Sequence, residues 1–322
     1  MTRLLISGAW LLVLASIVVA QVRAEENAET VRRRAREAAK AADQALPRAK
    51  GTGRYELTWK RLVNGQLQPC PSRRGKFLFA YAGPKSWIGF VKAPDGVHDA
   101  AIYITDEKSI MVSEFSAANP PDGAAAYIER NTGVLPDLPG WPPSLQTMRS
   151  SWEYLEPGKG LLGKDPLPTL QEAEGLHVLQ CKSGRVLDRF YLDPSKGFHL
   201  VRIETVEEDG TPIGTGTRDW RTTADGLWYV REYCQEGFPI RKIIEHTHWR
   251  FTFDTLEPNA EIPDALFTLD ALALPVGATI RDRRSRTERT LYAQPPQIDM
   301  AALERFVGQL PQAAGSRDAR SK

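Results

Sequence analysis

Two histidines separated by one residue, His246-Thr247-His248, are the first place to look for chemistry in this chain. On a strand, positions i and i+2 share a face, so both imidazoles would point the same way. A zinc site needs a third ligand, which would have to arrive from another strand as His177 or His199. The face carrying the pair also carries Arg250, so it is read as a polar strand face and no metal is expected. His177 and Cys181 have the types of a cysteine hydrolase. Four residues along one strand span about 13 Å, too far for the base to take the thiol proton. Glu207-Glu208 and Asp254 with Glu257 are carboxylate pairs, but glycosidases set theirs across a cleft, and these lie in turn-like sequence. No phosphate loop, dinucleotide fingerprint or serine elbow occurs. These residues exclude more chemistry than they suggest: neither an enzyme nor a cofactor is expected.

The elements that position them are strands. From Phe190 to Arg284 the chain runs through one extended segment after another, punctuated at Asp193-Pro194, Asp209-Gly210, Asp225-Gly226, Glu257-Pro258 and Val276-Gly277. Strands are expected over 176–182, 186–192, 198–206, 211–221, 227–234 and 240–253. In the last, Trp249, Phe251 and Phe253 share one face while His246, His248 and Arg250 share the other. Apolar against polar implies an antiparallel sheet buried on one side. An earlier block begins at Gly53, where Tyr55, Leu57 and Trp59 alternate with polar residues up to an Asn64-Gly65 turn. Phe77, Phe79 and Tyr81 alternate next, followed by 87–91 and a hairpin of 100–105 with 109–115, giving four to six strands.

Two segments break this rhythm. Residues 29–46 are rich in Ala, Arg, Glu and Lys and stop at Pro47, which predicts a helix with a stripe of Val31, Ala35, Ala38, Ala42, Ala45 and Leu46. Residues 117–175 crowd Pro and Gly together yet keep Leu135, Leu138, Trp141, Leu145, Met148, Trp152 and Tyr154. Short helical pieces are expected near 123–131 and 144–154, and the segment is read as a lid lying on the protein. A short helix over 298–310 and a disordered tail over 311–322 complete the organisation.

Export is the expectation from the first residues. Arg3 precedes an apolar run from Leu4 to Ala20, and Val22-Arg23-Ala24 offers small residues at a cleavage site. Cutting after Ala24 leaves 298 of the 322 residues and removes Arg3 and Arg23 but no acid. Forty-two basic residues become 40 against 40 acidic ones, a balance without the footprint of a nucleic-acid or anionic-membrane binder. Cys70, Cys181 and Cys234 are an odd number with no metal spacing, so at most one bridge forms and the pairing stays open.

At the level of residues the layout resembles the lipoprotein-carrier (LolA-like) superfamily. A helix precedes Gly51-Thr52-Gly53-Arg54-Tyr55, then comes Arg74-Gly75-Lys76-Phe77-Leu78-Phe79. Arg189-Phe190-Tyr191-Leu192-Asp193-Pro194 leads into Phe198-His199-Leu200-Val201-Arg202, and Ile262-Pro263-Asp264-Ala265-Leu266-Phe267 and Pro275-Val276-Gly277-Ala278-Thr279 follow. The resemblance covers about residues 29–293. It implies a mainly β protein: a strongly curved antiparallel sheet or incomplete β-barrel with an N-terminal helix and a helical lid. It also implies an exported, periplasmic or extracellular protein that holds an acyl chain, lipid or lipoprotein without catalysis. The expected wall residues are Phe77, Phe79, Tyr81, Trp87, Trp249, Phe251 and Phe253, and the expected lid residues are Trp141 and Trp152. The alternatives are an envelope sensor or protein-interaction domain on the same fold, and an exported hydrolase on another β fold.

Overall fold

A computed structural model describes residues 27–64, 66–91, 100–106, 109–115, 124–130, 148–149, 168–237, 246–272, 274, 276–285, 287 and 289–294. The expected signal peptide, the C-terminal helix and tail, Trp141 and Trp152 lie outside the described residues. Helix α1 (Ala28–Ala45) opens with Asn27, whose side-chain oxygen accepts the Thr30 N–H at 2.8 Å and satisfies one of the first turn's orphan donors. Strand β1 (Arg48–Val63) follows, and then β2 (Gln66–Pro69), β3 (Arg73–Ala82), β4 (Lys85–Phe90), β5 (Ala100–Thr105), β6 (Ser109–Phe115) and β7 (Ala124–Arg130). The second block is β8 (Thr169–Ala173), β9 (Leu176–Ser183), β10 (Val186–Asp193), β11 (His199–Glu207), β12 (Pro212–Thr222), β13 (Trp228–Gly237) and β14 (His246–Pro258). Short strands β15 (Thr279–Asp282) and β16 (Arg289–Tyr292) end the described chain.

All sixteen described strands join one open, curved, mainly antiparallel sheet. Two meanders run outward from a central pair: β3 to β7 on one side of β1, and β13 back to β8 on the far side of β14. The two meanders are joined where β1 pairs with β14, from Ala49 opposite Pro258 to Lys60 opposite His246. Turn chemistry matches the sequence: Gly210, Gly226 and Gly277 take positive φ of 88°, 79° and 84°, a region that costs a glycine little. The turn after β10 is closed by Asp193, which accepts the Ser195 N–H at 2.9 Å.

One face of this sheet, here the inner face, carries a continuous aromatic layer. Tyr55 and Leu57 of β1, Phe77, Phe79 and Tyr81 of β3, and Trp249, Phe251 and Phe253 of β14 are all buried in it. The layer extends to Tyr103, Val112 and Tyr127 on one side and to Tyr233, Val230 and Trp220 on the other. Helix α1 covers its far end, where Val31 and Ala35 pack on Leu179, Phe190, Leu192 and Leu200. Of the expected stripe, Val31, Ala35 and Leu46 are buried; Ala39 joins them, Ala38 and Ala42 are half-buried, and Ala45 is exposed.

The sequence reading needs two corrections. Residues 124–130, expected to be helical, form strand β7, paired with β6 along its length and in parallel with β15 from Ala126 to Ile128. Trp87, expected on the cavity wall, lies on the opposite, outer face. The β3–β4 hairpin sets Ala80 against Trp87 and Phe79 against Ile88, so Ile88 faces inward and Trp87 does not. Trp87 packs instead with Ile102, Ile104 and Ile128 beneath Leu266, Phe267 and Leu272 of a C-terminal segment that covers this half of the sheet. The buried Ser113 hydroxyl donates to the Leu272 carbonyl at 3.0 Å and fixes that cover.

Candidate functional site

The aromatic wall rests on two glycines. Gly53 of β1 lies between Phe77 on one flanking strand and Phe253 on the other. Strands two apart are separated by about 9.6 Å, yet these rings approach to 5.6 Å between centroids, and Phe79 and Phe253 to 5.1 Å. They meet because Gly51 and Gly53 leave no side chain between them and because the sheet curls toward this face. The contacts are edge-to-face, the geometry aromatic quadrupoles favour. A bulge at Thr52/Gly53 serves the same end: the extra residue, Asp254, turns outward to take both Nε and Nη2 of Arg54 at 2.8 Å.

At the end of this wall is a cleft between α1 and the sheet. Ala42, Asp43 and Leu46 of α1 form one side, Phe79, Tyr81, Phe253 and Leu256 the floor, and Trp220, Trp228, Tyr229 and Val230 the other side. Arg149 closes it. Its guanidinium lies 3.9 Å from the Tyr81 ring centroid, and its Nη2 donates to the Gly83 carbonyl at 3.0 Å and stands 3.8 Å from Asp43 Oδ1. Burial pushes the Tyr81 phenol up to about 12, so it stays neutral beside the cation. The cleft has a cavity volume of only about 30 Å³, room for a water molecule or two and not for an acyl chain.

The expected wall is thus largely assembled: Phe77, Phe79, Tyr81, Trp249, Phe251 and Phe253 share one cluster. From the segment read as a lid, Met148 is fully buried against that cluster and Arg149 caps the cleft, and both are helical. Sequence reasoning did not single out Trp220, Trp228, Asp43 or Arg149 as cleft residues. Trp220 was within reach, since it shares the face of Arg218 on a strand already recognised; Arg149 carries no signal that separates it from other arginines.

The residues that suggested chemistry are engaged elsewhere. His246 Nε2 is 2.8 Å from Glu236 Oε1, and His177 stacks on Phe198 at 5.5 Å. His199 stacks on Trp220 at 4.2 Å, and burial holds its pKa down to about 4. Among the described residues no three His, Cys, Asp or Glu side chains gather as a metal site. No disulfide joins Cys70, Cys181 and Cys234, and burial next to Asp188 raises the Cys181 thiol pKa, leaving it a poor nucleophile at neutral pH.

No protein-family model and no curated protein matches this sequence. Solved structures do. A domain from Vibrio parahaemolyticus assigned to outer-membrane lipoprotein sorting is 14% identical, with a TM-score of 0.51 over 76% of this chain and 99% of its own. The fold is LolA-like. A DUF1329 family protein from Desulfovibrio piger (14% identity, TM-score 0.43, 74% of this chain and 97% of its own) is also similar. So is a LolA superfamily protein from Nitrosomonas europaea, at 10% identity and a TM-score of 0.37 over 74% of this chain and 99% of its own. Identities this low speak of backbone shape and not of ligand. Among the described residues, no helix is long and apolar enough to cross a membrane.

Proposed function

We propose that the protein is an exported, non-catalytic binding protein that holds an acyl chain, lipid or lipoprotein on the inner face of its half-barrel. The observation that carries the reading is the aromatic layer of Phe77, Phe79, Tyr81, Trp249, Phe251 and Phe253, on which, among the described residues, Leu46 and Met148 pack as cover. Removing apolar area from water favours such sequestration by about 25 cal/mol per Å². The ligand would replace cover residues such as Met148; in this reading the lid is the stretch between β7 and β8, to which Trp141 and Trp152 belong in sequence. The lipoprotein-sorting assignment of the Vibrio parahaemolyticus domain is compatible with this use of the fold.

One observation favours a second reading, an envelope sensor or protein-interaction domain: among the described residues the inner face is packed with the protein's own side chains, and the cleft beside α1 holds only about 30 Å³. Native mass spectrometry of protein recovered from the cell envelope separates the two. The carrier reading expects a mass lacking residues 1–24 and accompanied by a lipid adduct. A dry polypeptide that also takes up no lipid from vesicles in vitro would sink it and leave the interaction domain.

A further inference from the structure

We propose that Arg149 fixes the ligand class as a single-chain amphiphile with an oxyanion head group, a carboxylate or phosphate seated at the guanidinium while the chain follows the Trp220–Phe253 wall. The inference rests on the carrier reading above and narrows it. Arg149 lines the cleft, yet its Nε and Nη1 are buried and find no acceptor among the described residues. Its contacts with Gly83 and Asp43 are made through Nη2 alone, leaving two donor nitrogens, Nε and Nη1, over. A buried N–H without an acceptor is costly, and an anionic oxygen is the strongest acceptor that could satisfy it. Among the described residues the charge is offset in part by Asp43. Tyr81 stays a neutral phenol, and Asp43 stands beyond hydrogen-bond distance at 3.8 Å. Tyr81, Trp220, Trp228 and Phe253 keep the site poor in water, which strengthens an ion contact there. The cleft as it stands has room for head-group oxygens only, so the chain enters as Met148 withdraws from the aromatic layer.

The test measures binding of laurate, dodecyl phosphate and methyl laurate at pH 8 by calorimetry, in the wild type, Arg149→Met and Asp43→Asn, with circular dichroism checking the fold. At least one anion should bind the wild type about tenfold or more tightly than the ester, as expected for a charge-assisted contact in a dry site. The ratio should fall toward one in Arg149→Met and rise in Asp43→Asn. Which anion is preferred identifies the head group. A wild-type ratio near one, or a preference that survives Arg149→Met, overturns the inference while leaving a lipid carrier intact. Failure of all three ligands to bind overturns the carrier reading along with it.

Discussion

Replacing Gly51 by alanine should destabilise the protein by about 3 kcal/mol, and the reasoning can be followed atom by atom. A Cβ built on Gly51 would lie 2.0 Å from the Thr255 carbonyl oxygen and 2.8 Å from Phe79 Cζ. The carbonyl belongs to the backbone of β14 and cannot rotate away, so β1 and β14 must part by about an ångström to restore van der Waals distance, at the join of the two meanders. Overpacking of this kind costs about 1–3 kcal/mol, and a backbone obstacle belongs at the upper end. The separation also strains the Thr52 N–H bond to Thr255 Oγ1, 2.9 Å long, a contact worth about 1 kcal/mol. Against this, alanine restricts the unfolded chain and returns about 0.5–1 kcal/mol. Gly216 is the control: it lies on the same face of β12, but its added Cβ meets Tyr233 Oη only at 3.7 Å, an ordinary contact. Gly216→Ala should therefore be neutral or slightly stabilising. Urea unfolding followed by tryptophan fluorescence measures both, with a midpoint loss of about 1 M for Gly51→Ala at a slope near 3 kcal/mol/M. A Gly51→Ala midpoint within 0.2 M of wild type, on the order of 0.6 kcal/mol by the same slope, would refute the argument. So would equal losses at the two positions.

Two further outcomes follow from titratable groups. Burial holds His199 down to about 4, against about 6.5 when unfolded, so between those values the unfolded chain binds more protons and stability must rise with pH. The contribution approaches about 3 kcal/mol across that window, and His199→Gln should flatten the stability profile between pH 4 and 6.5. Asp188, whose carboxyl burial pushes up, works in the opposite sense, so an unchanged slope in the variant would count against the His199 argument. Among the thiols, half-exposed Cys70 should be alkylated by iodoacetamide well before buried Cys181, whose pKa is raised; peptide mapping that finds Cys181 modified first would contradict the described packing.

Much of the fold was legible because its signals are local. The helix stops before Pro47, the turns carry glycine where φ is positive, and Tyr55, Phe251 and Phe253 alternate with polar neighbours. What was not legible depends on partners. Ala124-Ala125-Ala126 favours a helix in isolation, and only β6 and β15 make it a strand. The outer-face core had a readable signal that went unused: Trp87-Ile88 and Ala101-Ile102-Tyr103-Ile104 are continuous apolar runs, the mark of strands covered on both faces. The parity that places Trp87 outside follows from the tight hairpin that sets Ala82 opposite Lys85. Arg149 was not legible, because its importance lies in what it fails to bond.

The wall and its cover are built unequally, and that bears on how the inner face could be used. The cover contributed by α1 consists of Val31, Ala35, Ala39 and Leu46, whose burial is worth about 6 kcal/mol at about 0.8 per methyl or methylene and 1.5–3 per larger side chain. The wall buries Phe77, Phe79, Tyr81, Trp249, Phe251 and Phe253 on strands paired on both sides, about 9–18 kcal/mol on the same scale before any ladder hydrogen bond is considered. Local opening takes the least costly route, so helix α1 lifts before the strands part. A protein that needed this face only as a core would gain stability from larger cover residues than alanine. Small side chains over the β9–β11 end of the inner face make a cover that a competing apolar guest can displace, and the guest recovers the buried area that the cover gives up.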